Sequence, residues 1–108
     1  MTTKTLKFVG SSLDDLRNFP IEARRAAGFE LHAVQTGYEP RDWKPIPAIG
    51  SGAKEIRIHV LGEWRVIYVA KFHDAIYVLH SFEKKSRKTS QQDIDLARQR
   101  YRQIGGNL

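Results

Sequence analysis

Residues 54–88 read KEIRIHVLGEWRVIYVAKFHDAIYVLHSFEKKSRK, and this stretch predicts three consecutive β-strands. Isoleucine and valine alternate with polar residues over 55–60, the pattern of a strand with one buried face. Residues 61–63 predict a hairpin turn, and segments 64–71 and 75–82 are rich in β-branched and aromatic residues. Their nearly continuous apolar character indicates that the central strands are covered. The stretch therefore predicts a three-stranded antiparallel meander with cations among its apolar residues.

The flanking segments predict one more strand and three helices. Residues 6–9 suit a short strand, and either serine at 11–12 can cap a short helix after it. Apolar residues recur at helical spacing over 21–36, whereas residues 38–52 hold three prolines and predict an irregular crossover. Two overlapping capping boxes at 89–93 predict a final helix. The predicted element order is β-α-α-β-β-β-α, in an α+β fold.

Length and composition predict one basic domain, spanning residues 1–108. The chain has 18 Lys+Arg against 12 Asp+Glu, a formal charge of +6 and a pI near 9.8. This excess favours a nucleic acid or another acidic partner, while a basic protein with no specific anionic ligand is the alternative. The chain has no cysteine, which excludes thiolate chemistry and disulfides. We expect a cytoplasmic protein without cofactor, metal or membrane contact.

The strongest candidate site is a group of cations at the end of the meander. Arg57 and Arg65 lie on neighbouring predicted strands close to a tight turn, so they converge if the strand register puts them on one face. Each guanidinium offers a planar fork that binds two phosphate oxygens. Lys84 and Lys85 follow the last strand. The alternative is that each arginine pairs with a nearby glutamate on a solvated face.

Six short segments also carry a family resemblance, and together they cover nearly the whole chain. They are Val9–Arg17, Asp42–Pro45, Lys54–Arg57, Trp64–Tyr68, Val78–Ser86 and Asp93–Ala97. These segments resemble the phage-related HigB-like branch of the RelE toxin superfamily. The resemblance implies a RelE-like antiparallel sheet with helices packed on one face and a basic cleft for mRNA on the other.

The same resemblance implies an activity and its partners. It implies a ribosome-dependent mRNA endoribonuclease that enters the ribosomal A site, as the toxin half of a type II toxin–antitoxin pair. The expected protein partner is a helix-turn-helix antitoxin. The active-site cations that the resemblance implies are Arg57, Arg65, Lys84 and Lys85.

The chemistry expected of such a site is metal-independent attack by the RNA 2′-hydroxyl on the adjacent phosphorus. It requires a base, an acid for the leaving 5′-oxygen, and stabilisation of extra negative charge. Arg57 and Arg65 suit the last task, and a lysine serves in proton transfer only if burial and nearby cations lower its pKa. Other candidate acids or bases are Glu55, Tyr68, His80 and Tyr101. For His80 and the tyrosines a packed core position is the alternative.

Further cations are expected to hold the flanking RNA or the ribosome. They are Lys54, Arg87 and Lys88. The C-terminal arginines 98, 100 and 102 fit a solvated face, a second nucleic-acid contact or a partner surface. Two other functions stay open: a non-catalytic homologue that binds nucleic acid or its antitoxin, and a phage structural protein whose basic face meets packaged DNA. A pure binder would leave no new 5′ ends on mRNA.

Overall fold

The strands assemble into one five-stranded mixed sheet, seen in a computed structural model that describes residues 3–105. The elements are β1 (Thr5–Phe8), α1 (Ser12–Arg17), α2 (Ile21–Gln35), β2 (Trp43–Pro45), β3 (Ala53–Ile58), β4 (Trp64–Val69), β5 (Ala75–Glu83) and α3 (Gln91–Gly105). The strand order in the sheet is β1-β5-β4-β3-β2. The predicted α+β class is confirmed.

The predicted meander forms the centre of the sheet. β3 pairs antiparallel with β4, and β4 pairs antiparallel with β5. The β3–β4 turn is tight, since Leu61 and Gly62 both have positive φ, at 55° and 129°. A bulge shifts the register between β4 and β5, so that Ile67 faces His80 while the next residue of β4 faces Val78. The bulged strand therefore presents two successive side chains, Leu79 and His80, to the same face.

One face of the sheet packs against α1 and α2, and we call it the α2 face. Successive side chains of a strand leave the sheet on opposite sides, so alternate residues of the central strands point here. The helices meet them with apolar residues that recur at helical spacing. The buried residues of this layer are Leu16, Phe19, Ala23, Ala27, Leu31, Val34, Ile56, Ile58, Val66, Tyr68, Ile76 and Val78.

The opposite face packs against α3, and we call it the α3 face. Its buried residues are Ile46, Ile49, Ala53, Ile67, Val69, Leu79, Phe82, Ala97 and Ile104. This arrangement corrects the expectation that the helices pack on one face and leave the other free. The apolar stripe of α3 is stable only when it is buried against another apolar surface, and the central strands supply that surface.

The edge strands also differ from expectation. β1 pairs with β5 in parallel, so the sheet is mixed and not wholly antiparallel. The reason is that the chain crosses through α1 and α2 to the opposite edge of the sheet. The meander then returns strand by strand toward β1, and its last strand, β5, pairs with β1. β2 is an additional strand within the predicted irregular crossover, and it pairs antiparallel with β3. Its three residues end at Pro45, which an edge strand tolerates, and they are too few to show a period.

None of the helices described between residues 3 and 105 is both long enough and apolar enough to cross a lipid bilayer.

Arg100 ties α3 to the turn that follows β1. Its guanidinium donates to the carbonyl of Leu79 at 2.9 Å and to Ser11 Oγ at 3.0 Å. The side chain is buried, so Arg100 does not belong to a solvated or nucleic-acid-binding face. Gly10 lies directly over it with φ +59°, and a Cβ at this position would come within 2.6 Å of Arg100 Nε. A side chain at position 10 would therefore displace the guanidinium.

We expect Gly10→Ala to lower the free energy of unfolding by about 1–3 kcal/mol, because it adds left-handed backbone strain and a clash with Arg100. Urea titration followed by circular dichroism measures this change. The matched control is Gly28→Ala in α2, where a Cβ meets nothing within 4 Å. This control should raise stability by about 0.5–1 kcal/mol through helix propensity. Equal effects of the two substitutions would contradict this account of Gly10.

Candidate functional site

Two arginines stand directly opposite each other on the α3 face, beside the β3–β4 turn. Arg57 of β3 is the cross-strand partner of Arg65 of β4. The predicted convergence of these side chains on one face is therefore present. Like charges placed opposite each other destabilise a sheet, so this pair requires compensation from nearby carboxylates. It also concentrates positive charge at one point of the surface.

Two lysines join this pair. Lys44 of β2 is the cross-strand partner of Glu55, two residues before Arg57 on the same face. Lys84 follows β5, and its backbone N–H donates to the carbonyl of Glu63 in the β3–β4 turn at 2.8 Å. We call Lys44, Arg57, Arg65 and Lys84 the basic cluster.

A buried carboxylate lies beneath the basic cluster. Glu55 is 0% exposed, and its Oε1 lies 3.8 Å from Lys44 Nζ and 3.7 Å from Arg65 Nε. Its Oε2 accepts a hydrogen bond of 3.0 Å from Thr89 Oγ1, in the segment between β5 and α3. Within residues 3–105, neither Glu55 Oε1 nor Arg65 Nε has a hydrogen-bond partner. Glu55 is therefore the negative centre around which the cations are arranged, and Thr89 covers it.

The two arginines differ in access. The Arg65 side chain is only 5% exposed, and its guanidinium donates to the carbonyl of Trp64 at 2.9 Å and to Glu63 Oε1 at 3.0 Å. Arg57 is about one-third exposed and uses Nε on Asp42 Oδ1 at 3.0 Å. The described part of the chain gives the two Nη groups of Arg57 no hydrogen bond. Arg57 can therefore bind an anion directly, whereas Arg65 adds positive charge from below.

Lys84 has an altered acidity because of this environment. Burial lowers the pKa of Lys84, and the neighbouring charge of Arg65 lowers it further. Lys44 and Arg57 act in the same direction, and Glu55 opposes them. A lysine needs such a lowered pKa if it is to transfer protons. The arrangement combines an exposed guanidinium and two amines that can contact a phosphate.

Several predicted site residues lie outside the basic cluster. Lys54 and Tyr68 are cross-strand partners on the α2 face, where Tyr68 is buried and Lys54 binds Glu39 at 3.0 Å. Burial raises the pKa of Tyr68. Lys85 follows β5, is 80% exposed, and its Nζ lies 4.0 Å from Glu83 Oε1. Lys54 and Tyr68 therefore do not reach the α3 face, and Lys85 pairs with Glu83 outside the basic cluster.

The exposed segment after β5 holds Arg87 and Lys88, beside Thr89. Both cations are therefore placed to meet a ligand that extends past the basic cluster, and their RNA-binding role stays a prediction.

His80 and Tyr101 serve the packing of α3. His80 Nε2 lies 2.7 Å from Asp93 Oδ1 near the start of α3, and its ring stacks on Phe82. Burial lowers the pKa of His80, which favours its neutral form. Tyr101 donates to the carbonyl of Ser51 at 2.7 Å, just before β3 begins. Tyr101 therefore lies at the start of β3, whereas Glu55 and Arg57 lie further along this strand. From the rise per residue of a strand, Tyr101 is roughly 13–20 Å from the basic cluster.

Sequence reasoning missed several contributors to the site. Lys44 lies in a proline-rich segment that carries no strand periodicity, although the segment Asp42–Pro45 is part of the family resemblance. The sequence around Thr89 predicts only a helix cap. Asp42 and His59 lie 17 residues apart, yet His59 Nε2 is 2.6 Å from Asp42 Oδ2. Such long-range contacts leave no local pattern in the sequence.

The His59 ring lies between Asp42 and Glu63, and each ring nitrogen contacts one carboxylate. Across residues 3–105, no group of three or more His, Cys, Asp or Glu side chains has an arrangement that could hold a metal ion.

Comparison with known proteins gives one family and one fold. The family model described as "Phage derived protein Gp49-like (DUF891)" matches residues 14–102. The fold is similar to a chain in the crystal structure of the toxin–antitoxin complex RelBE2 from Mycobacterium tuberculosis, with a TM-score of 0.51 and 23% sequence identity. The match covers 80% of this chain and 97% of that chain. No curated protein matches the sequence significantly.

We expect Glu55→Gln to lower the free energy of unfolding by roughly 2–4 kcal/mol, because it leaves buried Arg65 without the charge beneath it. Chemical denaturation measures the change. The matched control is Glu39→Gln, which removes an exposed carboxylate from a surface ion pair with Lys54 and should cost less than about 1 kcal/mol. A loss at Glu55 no larger than the loss at Glu39 would show that this carboxylate does not organise the cluster.

The Lys84 amine should titrate below its usual value near 10.5. Nuclear magnetic resonance of the lysine side chains, followed against pH, measures this directly. Lys44→Gln should raise the pKa of Lys84 by removing a neighbouring positive charge, whereas Lys54→Gln on the α2 face should leave it unchanged. A Lys84 pKa that responds equally to both substitutions would contradict the arrangement of the cluster.

Proposed function

The chain belongs to the Gp49-like family of phage-derived proteins, a family of RelE-like toxins, and from this premise we propose that it is a ribosome-dependent mRNA endoribonuclease. The observation that carries the proposal is the basic cluster, in which Lys44 and buried Arg65 lie within 4 Å of a buried carboxylate and Arg57 stays partly exposed beside them. Such a cluster suits a phosphodiester that gains negative charge as it reacts. The assignment to the HigB-like branch is part of the same proposal.

The exposed cations are proposed to bind the scissile phosphate. Arg57 offers its two Nη groups as a fork for two phosphate oxygens, and Lys44 adds a second charge. Arg65 lies beneath and raises the positive potential without contacting the RNA. Glu55 acts as a positioning group for Arg65 and Lys44, since it is fully buried beneath Thr89.

Lys84 is the proton-transfer group that we assign. In the proposed reaction the RNA 2′-hydroxyl gives its proton to a solvent water and its oxygen forms a bond to phosphorus. The bond from phosphorus to the 5′-oxygen breaks, which leaves a 2′,3′-cyclic phosphate. Lys84 donates a proton to that leaving oxygen. Its lowered pKa makes its ammonium a stronger acid than that of an ordinary lysine. This reaction needs no metal to generate the nucleophile, because the nucleophile belongs to the substrate.

An antitoxin is the proposed protein partner. The similar solved chain comes from a toxin–antitoxin complex, which supports a partner of this kind. The formal charge of +6 suits a partner with an acidic surface. A helix-turn-helix antitoxin is the type that the family resemblance implies, and mRNA in the ribosomal A site is the proposed substrate.

RNA binding without cleavage is the competing function. The burial of Glu55, Tyr68 and His80 favours it, because none of these three acid or base candidates reaches the surface of the basic cluster. Under this alternative Lys84 would contribute only charge. The two functions differ in whether mRNA gains new 5′ ends.

Expression of the chain without an antitoxin should arrest bacterial growth, and Lys84→Ala or Arg57→Ala should abolish the arrest. Loss of one transition-state contact of this type lowers a rate by roughly 10²–10³-fold. Primer extension on mRNA from translating cells reports cleavage. The matched control is Arg25→Ala, which removes an exposed arginine from α2 on the opposite face and should keep full toxicity.

The pattern of results separates the two functions. The endoribonuclease is supported if the wild type shows both growth arrest and new 5′ ends and the Lys84 and Arg57 variants show neither effect. Ribosome or RNA binding without new 5′ ends supports the binder. Full toxicity of Arg57→Ala, in a variant that circular dichroism shows to be folded, would rule out the basic cluster as the active site.

A further inference from the structure

A line of alternating charges runs along the edge of the basic cluster. Arg57 Nε contacts Asp42 Oδ1 at 3.0 Å, and Asp42 Oδ2 lies 2.6 Å from His59 Nε2. On its other side, His59 Nδ1 lies 2.9 Å from both carboxylate oxygens of Glu63, whose Oε1 accepts from Arg65 at 3.0 Å. One imidazole therefore joins the two carboxylates that hold the two arginines.

This geometry requires a specific protonation state of His59. A carboxylate can only accept a hydrogen bond, so both ring nitrogens must carry a proton for His59 to bind Asp42 and Glu63 at once. A neutral ring would direct a lone pair at one of the two carboxylates. The hydrogen bonds to Asp42 and Glu63 raise the pKa of His59 above its usual value of 6.5. The same contacts lower the pKa of both acids.

We propose that His59 is a positioning residue of the basic cluster, whose imidazolium binds Asp42 and Glu63 so that these carboxylates neutralise less of the positive charge that Arg57 and Arg65 present to an RNA phosphate. Asp42 and an RNA phosphate would compete for the guanidinium of Arg57. The charged ring draws one oxygen of Asp42 away from that competition. When His59 loses its proton, one carboxylate is released from the ring and the site loses a positive charge.

The other charged groups near His59 do not substitute for it. Glu30 of α2 and Arg41 line the same hollow as Asp42, Arg57 and His59. These two groups pair with each other, with Arg41 Nε 2.8 Å from Glu30 Oε1, so they add no net charge. The protonation of His59 therefore acts on four charged groups, which are Asp42, Glu63, Arg57 and Arg65.

The proposal predicts RNA binding that weakens as pH rises. His59 has a raised pKa in the folded protein, so its charge and the stability that depends on it are fully present below 6.5 and are lost as pH rises through the folded pKa. Loss of one charge beside a phosphate should weaken binding by roughly threefold to tenfold at low salt. Because Asp42, Glu63 and Arg57 are partly exposed, added salt should reduce this effect.

Fluorescence anisotropy with a short 2′-O-methyl RNA tests the proposal, since this probe cannot be cleaved by 2′-hydroxyl attack. The wild-type protein should bind severalfold more weakly at about pH 8 than at about pH 6. His59→Asn should bind weakly at both values, and His59→Arg should bind tightly at both because its charge does not titrate. The matched control is His32→Asn, at an exposed position of α2, which should keep the wild-type pH dependence.

A second measurement does not depend on RNA. The ring resonances of His59 should titrate above those of an ordinary histidine, and Asp42→Asn should lower that pKa by removing one carboxylate. A normal His59 pKa would overturn the proposal even if RNA binds.

The inference rests on the proposed function, and its failure is distinguishable from the failure of that function. Wild-type protein that binds RNA equally at both pH values, with His59→Asn unchanged, would overturn the role of His59 and leave the basic cluster as an RNA site. Wild-type protein that binds RNA at neither pH, and that leaves no new 5′ ends on mRNA in translating cells, would overturn both.

Discussion

The buried carboxylate of Glu55 is the constraint on which the candidate site depends. An ionised group with no exposure is strongly unfavourable unless cations and hydrogen bonds compensate it. Lys44 and Arg65 lie within 4 Å of it, and Thr89 donates to it from the segment before α3. One side chain therefore joins an edge strand, a central strand and the start of a helix. The arrangement keeps cations together that would otherwise repel each other.

The two faces of the sheet differ in where they carry charge. The α2 face is an apolar layer, and the pleat sends Lys54 and Tyr68 to that side, away from Arg57 and Arg65. The α3 face is apolar where α3 covers it and charged beyond the helix. The bulge at Leu79 contributes to this division, because it lets His80 and Leu79 both face α3. His80 then holds Asp93, so the helix start is positioned next to Thr89 and the cluster.

Much of the positive charge of the basic cluster is already paired with carboxylates. Asp42 and Glu63 hold the two arginines, and Glu55 lies beneath them. A phosphate would therefore exchange some of these contacts for its own, and would not meet unpaired cations. Such a site favours a ligand with several charges over a lone anion, because the exchange costs electrostatic energy at each cation. RNA meets this requirement, with one phosphate for each nucleotide.

The sequence by itself determined the α+β class, the meander and the concentration of cations near its end, because these follow from local periods of two and 3.6 residues and from composition. It also placed Arg57 and Arg65 on neighbouring strands near one turn, where the strand register decides whether they share a face. Only the tertiary structure decided that β1 runs parallel to β5, that α3 covers the second face, and that Lys44 joins the cluster while Lys54 does not. These outcomes depend on strand register and on contacts between distant residues, for which a single sequence carries no periodic signal.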